Sequence, residues 1–181
     1  MTRFMALCAA LLCLACSTAP ALPELVTVSH VDLRQYLGKW YEIARLPAWF
    51  QKGCLQSTAT YGLDESGQIT VLNECLMKDG TRKSASGRAS IVDRQSQAKL
   101  EVVFDNWFSR IFPGLVKGKY WILYVDPGYR NAVVGTPDRK YLWFLSRNRT
   151  VEDATYAELV RFAESRGFET DRLIRAENAG L

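Results

Sequence analysis

Gly38-Lys39-Trp40-Tyr41-Glu42-Ile43-Ala44-Arg45 carries more structural information than any other segment of this chain. A glycine, one residue, then a tryptophan opens a strand near the front of the mature protein. Glycine there lets the backbone take φ > 0 or pass close to another group as the strand begins. The indole two residues on is large enough to fill the end of a small barrel, provided its N–H finds a partner. Alone, the pattern recurs by chance in many proteins. It gains meaning from a second strand far downstream, Tyr141-Leu142-Trp143-Phe144-Leu145-Ser146-Arg147. An arginine ending that strand can lay its guanidinium across the face of Trp40 and hydrogen-bond the chain nearby. Taken singly, an ordinary core tryptophan and an exposed arginine account for both residues equally well.

A length of 181 residues fits one domain with a substantial core. The N-terminus stands apart from that core. Arg3 supplies a positive start and residues 4–14 are apolar, too short a run to span a membrane as a helix. Leu14-Ala15-Cys16 resembles a bacterial lipobox that makes Cys16 a lipid-modified N-terminus; Cys13 departs from the usual leucine. Cleavage after Ala21 is the alternative and leaves a soluble periplasmic protein. The lipoprotein reading is favoured. Ser17 after Cys16, rather than Asp, points to the outer membrane. The expected organisation is a signal peptide over 1–15, a lipidated tether with Pro20 and Pro23 over 16–30, and a folded domain over 31–181.

Export means an oxidising compartment. Cys8 and Cys13 leave with the signal and Cys16 takes the lipid, so Cys54 and Cys75 remain as an even pair. They flank a hairpin whose turn is Asp64-Glu65-Ser66-Gly67. If Leu63 pairs with Gln68, one bulge brings the two cysteines opposite each other, close enough to bond. A disulfide is expected; a reactive thiol is the less favoured reading, since no base lies near in sequence. The formal charge of +4 comes without a basic run. Scattered Lys and Arg on an exported chain point away from nucleic acid.

Beyond the tether the chain reads as a helical turn over 31–36 and then strands joined by turns. After the Gly38 strand come residues 58–63, 69–76, 83–92, 98–104, 120–125, 131–135 and 141–147, eight strands in hairpin-like order. No helix interrupts them, so a meander is favoured over βαβ units. Eight is a number at which an up-and-down sheet closes into a barrel with room for one small ligand. Thr150-Val151-Glu152-Asp153 resembles a capping box, and the helix after it presents Tyr156, Leu159, Val160 and Ala163 on one face, with Gly167 placed as its stop. The strands at 120–125 and 141–145 are apolar on both faces, which suits a helix resting on their outer side. Two loops are unusually apolar, Leu46-Pro47-Ala48-Trp49-Phe50 and residues 106–115. They suggest an entrance for a greasy ligand or a membrane-facing rim, or else barrel lids or a dimer contact.

Together these residues resemble the lipocalin family, nearest its bacterial outer-membrane lipoproteins and their apolipoprotein D relatives. The Gly38–Arg45 stretch is similar to the first family signature, and residues 141–147, ending in Arg147, to the third. Asp126-Pro127-Gly128-Tyr129-Arg130-Asn131-Ala132 sits where the second belongs, lacking its Thr and carrying an extra Pro-Gly. Ala98-Lys99-Leu100-Glu101-Val102 and Tyr120-Trp121-Ile122-Leu123 are similar to the stretches between. The resemblance implies an all-β fold, an eight-stranded antiparallel up-and-down calyx with a C-terminal α-helix outside. It implies binding, storage or transport of small hydrophobic molecules, with fatty acids or lysophospholipids the expected ligands in the outer membrane or periplasm. The implied ligand-facing residues are Tyr61, Asn73, Met77 and Trp143, joined through strand alternation by Tyr141 and Leu145; Trp121 is expected to bind ligand as well, and Gly38, Trp40 and Arg147 hold the closed end. Cys54 matches a family cysteine, but its partner here is Cys75 rather than one near the C-terminus.

Function is then expected to be non-enzymatic, without metal or cofactor. His30 is the only histidine and precedes the barrel, which gives a Ser–His or Cys–His arrangement little support. No metal-ligand spacing occurs. A lipocalin-type enzyme using a calyx cysteine, or a structural envelope protein that dimerises through its apolar loops, are the alternatives.

Overall fold

Eight antiparallel strands follow one another in chain order, and the last pairs back onto the first. In this computed structural model, which describes residues 22–105 and 117–176, they are β1 (Gly38–Arg45), β2 (Cys54–Leu63), β3 (Ile69–Met77), β4 (Arg82–Ile91), β5 (Lys99–Phe104), β6 (Gly118–Val125), β7 (Asn131–Gly135) and β8 (Leu142–Ser146). β1 pairs with both β8 and β2, so the sheet has no free edge along the barrel. A short α1 (Leu33–Tyr36) precedes β1; α2 (Asp153–Ser165) and a two-residue β9 (Ile174–Arg175) follow β8. Cys16 and the apolar residues 106–115 lie outside the described residues.

Alternation along the strands produces two apolar layers. Trp40, Tyr61, Val71, Ala89, Leu100, Val102, Ile122, Val134 and Leu145 face the lumen and pack together. Ile43, Leu123, Val133, Leu142 and Phe144 face outward, where Leu159 and Ala163 of α2 cover them. That is why the strands apolar on both faces are those beneath the helix. α2 ends in a Schellman motif: Gly167 at φ +81° donates to Glu164 O, and Phe168 donates to Ala163 O. The start of α2 differs from the capping-box expectation. Its N-cap is Glu152, without a side-chain cap bond. The tether also ends earlier than expected. Leu25 is buried in the outer layer, and Val28 N–H donates to Ile122 O. The chain is thus folded onto the barrel well before Val31.

One end of the barrel is shut. Trp40 is fully buried, and its indole N–H donates to Tyr36 O at 2.8 Å. The Arg147 guanidinium lies 3.8 Å from the centre of the indole ring. Its nitrogens donate to Gln35 O, Tyr36 O, Leu37 O, Lys39 O and Tyr129 O. A planar fork is needed to reach that many carbonyls from one point. Gly38 sits at φ +91°, and a Cβ there would meet Arg147 at 3.4 Å. The G-x-W pattern therefore reflects two demands at once, a left-handed backbone and room beside the arginine.

Candidate functional site

Opposite the closed Trp40 end lies the mouth, the end where β1 runs into β2 and β7 into β8. Three levels can be distinguished between floor and mouth. At the floor, Tyr61 donates to Tyr120 at 2.8 Å, and the Tyr36 and Tyr120 hydroxyls are 2.9 Å apart. Burial pushes all three phenols above their usual range, so they stay neutral. They bound a small apolar hollow with Leu33, Ile69, Ala89, Leu100, Val102 and Ile122.

Above the floor one wall is built from small residues. The pairings Asn73↔Ala85, Val71↔Gly87 and Ile69↔Ala89 put Ala85, Gly87 and Ala89 on the lumen face, beside Ala59 across from Asn73. A Cβ on Gly87 would sit 2.4 Å from Val103 O and 3.1 Å from the Phe104 ring. At Gly87 not even a Cβ has room, because Val103 O and the Phe104 ring already stand there.

At the mouth the lining turns polar. Glu42 and Arg45, both nearly fully buried, are paired at 2.7 Å. A bulge between Glu42 and Ala44 breaks the alternation and brings Arg45 to the same side as Glu42. Between β1 and β2 a 3-10 turn (Trp49–Gln51) crosses the opening. The Gln51 amide donates to Glu42 Oε2 at 2.7 Å and to Ser57 Oγ at 3.3 Å. It accepts the Trp143 indole N–H at 2.9 Å. Arg45 also donates to the carbonyls of Gln51 and Cys54. Burial raises the Glu42 carboxyl above its ordinary value, opposed by Arg45 and Gln51. Phe50 packs on Tyr141, which stacks on Trp143. Cys54 and Cys75 form a disulfide, but diagonally rather than face to face: Leu63 pairs with Ile69, not Gln68, so Cys75 lies opposite Ser57 and Cys54 opposite Met77, and the bulge between Cys54 and Gln56 turns both cysteines to the same face.

The expected ligand residues separate accordingly. Trp143 and Tyr141 stand at the mouth. Asn73 and Met77 share the lumen face of β3 with Cys75, whose sulfur is 3.4 Å from that of Met77. Tyr61 belongs to the floor, bound to Tyr120, and Leu145 is packed into the inner core. Trp121, expected among the ligand residues, is corrected by the structure. Leu100 opposite Tyr120 turns Tyr120 and Ile122 inward, so Trp121 packs in the outer layer under Lys99, whose ammonium is 4.5 Å from the ring. Glu42, Arg45, Gln51 and Ser57 escaped the sequence reading. Only Glu42 carried a signal, because it shares the parity of Trp40 on β1. His30 is exposed, beside Gln95 O. Among the described residues no cluster of His, Cys, Asp or Glu could hold a metal ion.

A second hollow lies on the outer wall. β1 pairs with β2 only as far as Tyr41↔Thr58; beyond it β9 takes over that edge, through Ala44↔Arg175. Where the partner changes, Tyr41, Glu42, Ser57, Thr58 and Ala176 surround a concavity rimmed by Lys39, Arg82 and Arg149.

A closed eight-stranded barrel, plugged at one end by Trp40 and Arg147 and covered on its outside by α2, is the calyx architecture. The chain belongs to the lipocalin family: residues 31–178 match the lipocalin-like domain. It is 42% identical to temperature-induced lipocalin-1 of Arabidopsis thaliana over 83% of this chain and 81% of that protein. It is 37% identical to the outer membrane lipoprotein Blc of Escherichia coli K12, over 95% and 93%. Mouse apolipoprotein D is 35% identical over 83% and 78%. Among solved structures, insecticyanin of the tobacco hornworm superposes with a TM-score of 0.69 at 20% identity, covering 88% and 87% of the two chains. The amine-binding protein of Rhodnius prolixus, solved with tryptamine, gives 0.60 at 16%, covering 87% and 86%. These two likenesses show the fold.

Proposed function

We propose that this protein is a non-enzymatic carrier of single-chain amphiphiles, fatty acids or lysophospholipids, held with the acyl chain in the lumen and the head at the mouth. The small-residue wall of Ala59, Ala85 and Ala89 supports this reading, because side chains that stop at Cβ would leave a narrow apolar lane beside them for an acyl chain, down to the neutral floor. Each methylene taken from water into such a lane contributes roughly 0.8 kcal/mol, so a long chain binds firmly without special chemistry. Met77, Tyr141 and Trp143 would contact it near the mouth and Asn73 deeper in the lumen. The lipobox and the likeness to an outer membrane lipoprotein support anchoring through Cys16 in the outer membrane, barrel toward the periplasm. The disulfide leaves neither Cys54 nor Cys75 as a thiol nucleophile.

Native mass spectrometry of the protein isolated from its own envelope is expected to show a co-purifying lipid. Ala85→Trp, which fills the lane, and Trp143→Arg, which charges the mouth, are expected to abolish acyl-chain binding with the circular dichroism of the fold intact. Unchanged binding in both variants would place the ligand elsewhere.

A further inference from the structure

The polar cluster at the mouth has a composition that the carrier reading does not explain. A barrel holding greasy molecules gains nothing from a buried carboxylate and guanidinium, which are costly to desolvate. Here the two charges cancel across 2.7 Å, so the cluster is polar but has no net charge to offer. The Gln51 carboxamide, carried in by the 3-10 turn, fills the space between Glu42 Oε2 and the Trp143 N–H. It donates to the first and accepts from the second, as one neutral group with both functions must.

The geometry points to Gln51 as a placeholder for the ligand's head, and hence to a mouth selective for neutral heads that both donate and accept hydrogen bonds, amides or hydroxyls, over ionised carboxylates. The inference rests on the carrier reading and narrows it: a lysolipid can present its glycerol hydroxyl here, whereas a bare fatty-acid carboxylate cannot replace Gln51. A carboxylate can accept from Trp143 but has no proton to give Glu42. It would also meet Glu42 as a like charge in a site where Arg45 is already neutralised.

The test is a chain-matched series at pH 7.5: dodecanoate, dodecanamide and 1-monododecanoylglycerol, each displacing the neutral fluorophore N-phenyl-1-naphthylamine. Dodecanamide ends in the same group as Gln51. The amide and the glyceride are expected to bind at least tenfold more tightly than dodecanoate. Gln51→Ala is expected to strengthen amide binding at least threefold by removing the internal competitor. Glu42→Gln, which leaves Arg45 without its counter-charge, is expected to shift the preference toward dodecanoate. Equal wild-type affinity for dodecanoate and dodecanamide would overturn the selectivity and leave the carrier reading standing. Absence of binding by all three would instead overturn the carrier reading. The wild-type comparison decides the matter even if Glu42→Gln fails to fold.

Discussion

Replacing Arg147 by Met keeps the aliphatic stem and removes the guanidinium fork that closes the barrel. The loss can be worked from its contacts. Two of its carbonyl partners, on Gln35 and Lys39, are exposed, so water replaces the arginine there at little cost. Tyr36 O keeps the Trp40 indole as a donor. Leu37 O and Tyr129 O are part-buried and lose a charged donor, about 1 kcal/mol each after partial rehydration. The cation over Trp40, 3.8 Å from the ring centre, adds about 1 kcal/mol at a half-buried site. Arg147→Met should therefore cost about 3 kcal/mol, a large share of the total for a domain stable by roughly 5–15 kcal/mol. With an m-value of about 2 kcal/mol/M, the urea midpoint followed by tryptophan fluorescence falls by roughly 1.5 M. Arg147→Lys retains the charge but not the fork and should lose about half as much, roughly 1.5 kcal/mol. Ligand affinity of the folded fraction should stay within about twofold, because the plug lies at the end opposite the mouth. A loss below about 1 kcal/mol for the Met variant, or a selective loss of ligand binding, would refute the assignment of Arg147 to closure.

Reducing the Cys54–Cys75 bridge reopens a loop with a sequence separation of 21, which should lower stability by about 3 kcal/mol; melting with and without reductant measures it, and an unchanged midpoint counts against the bridge. Gly87→Ala places a Cβ 2.4 Å from Val103 O, so β4 must shift from β5 at a cost of about 2 kcal/mol or more, read from urea unfolding. Glu42 titrates above its ordinary 4.5 in the folded state because of burial, so the unfolded chain releases that proton first. Its contribution is full below about pH 4.5 and is lost as pH rises through the folded value. Stability of the wild type relative to Glu42→Gln should therefore fall as pH rises above Glu42's ordinary 4.5 in paired urea titrations, and a rise would contradict the burial of Glu42.

Much of this molecule was legible in its residues because the relevant interactions are periodic or local. Alternation and turn chemistry marked the strands and put the two cysteines on neighbouring strands of one hairpin; the register itself, Leu63 with Ile69 and Cys75 with Ser57, is one residue off the one the turn suggests, and the bridge is diagonal. The pairing of Gly38 and Trp40 with a distant arginine located the closed end. The helix face was legible too, because its apolar residues recur at helical spacing. Its first residue was not, since Glu152 lacks the side-chain bond that makes a cap visible in sequence.

The site was only half visible. On a strand apolar on both faces, alternation says that neighbours diverge but not which points inward. Trp121 was accordingly misplaced, and the β5–β6 register turned it to the outer layer. Arg45 shows the same limit from the other side. Strict alternation sends it outward with Tyr41 and Ile43, and a bulge brings it to the lumen side. Gln51 belongs to a loop without periodicity, so nothing local foretold its three bonds in the mouth. The amino-acid sequence by itself thus determined the closed barrel, its plug and its outer helix, because periodic burial and short turns are local properties. The tertiary structure alone decided which polar groups meet at the mouth, because that depends on one bulge and on a loop crossing back over strands distant in sequence.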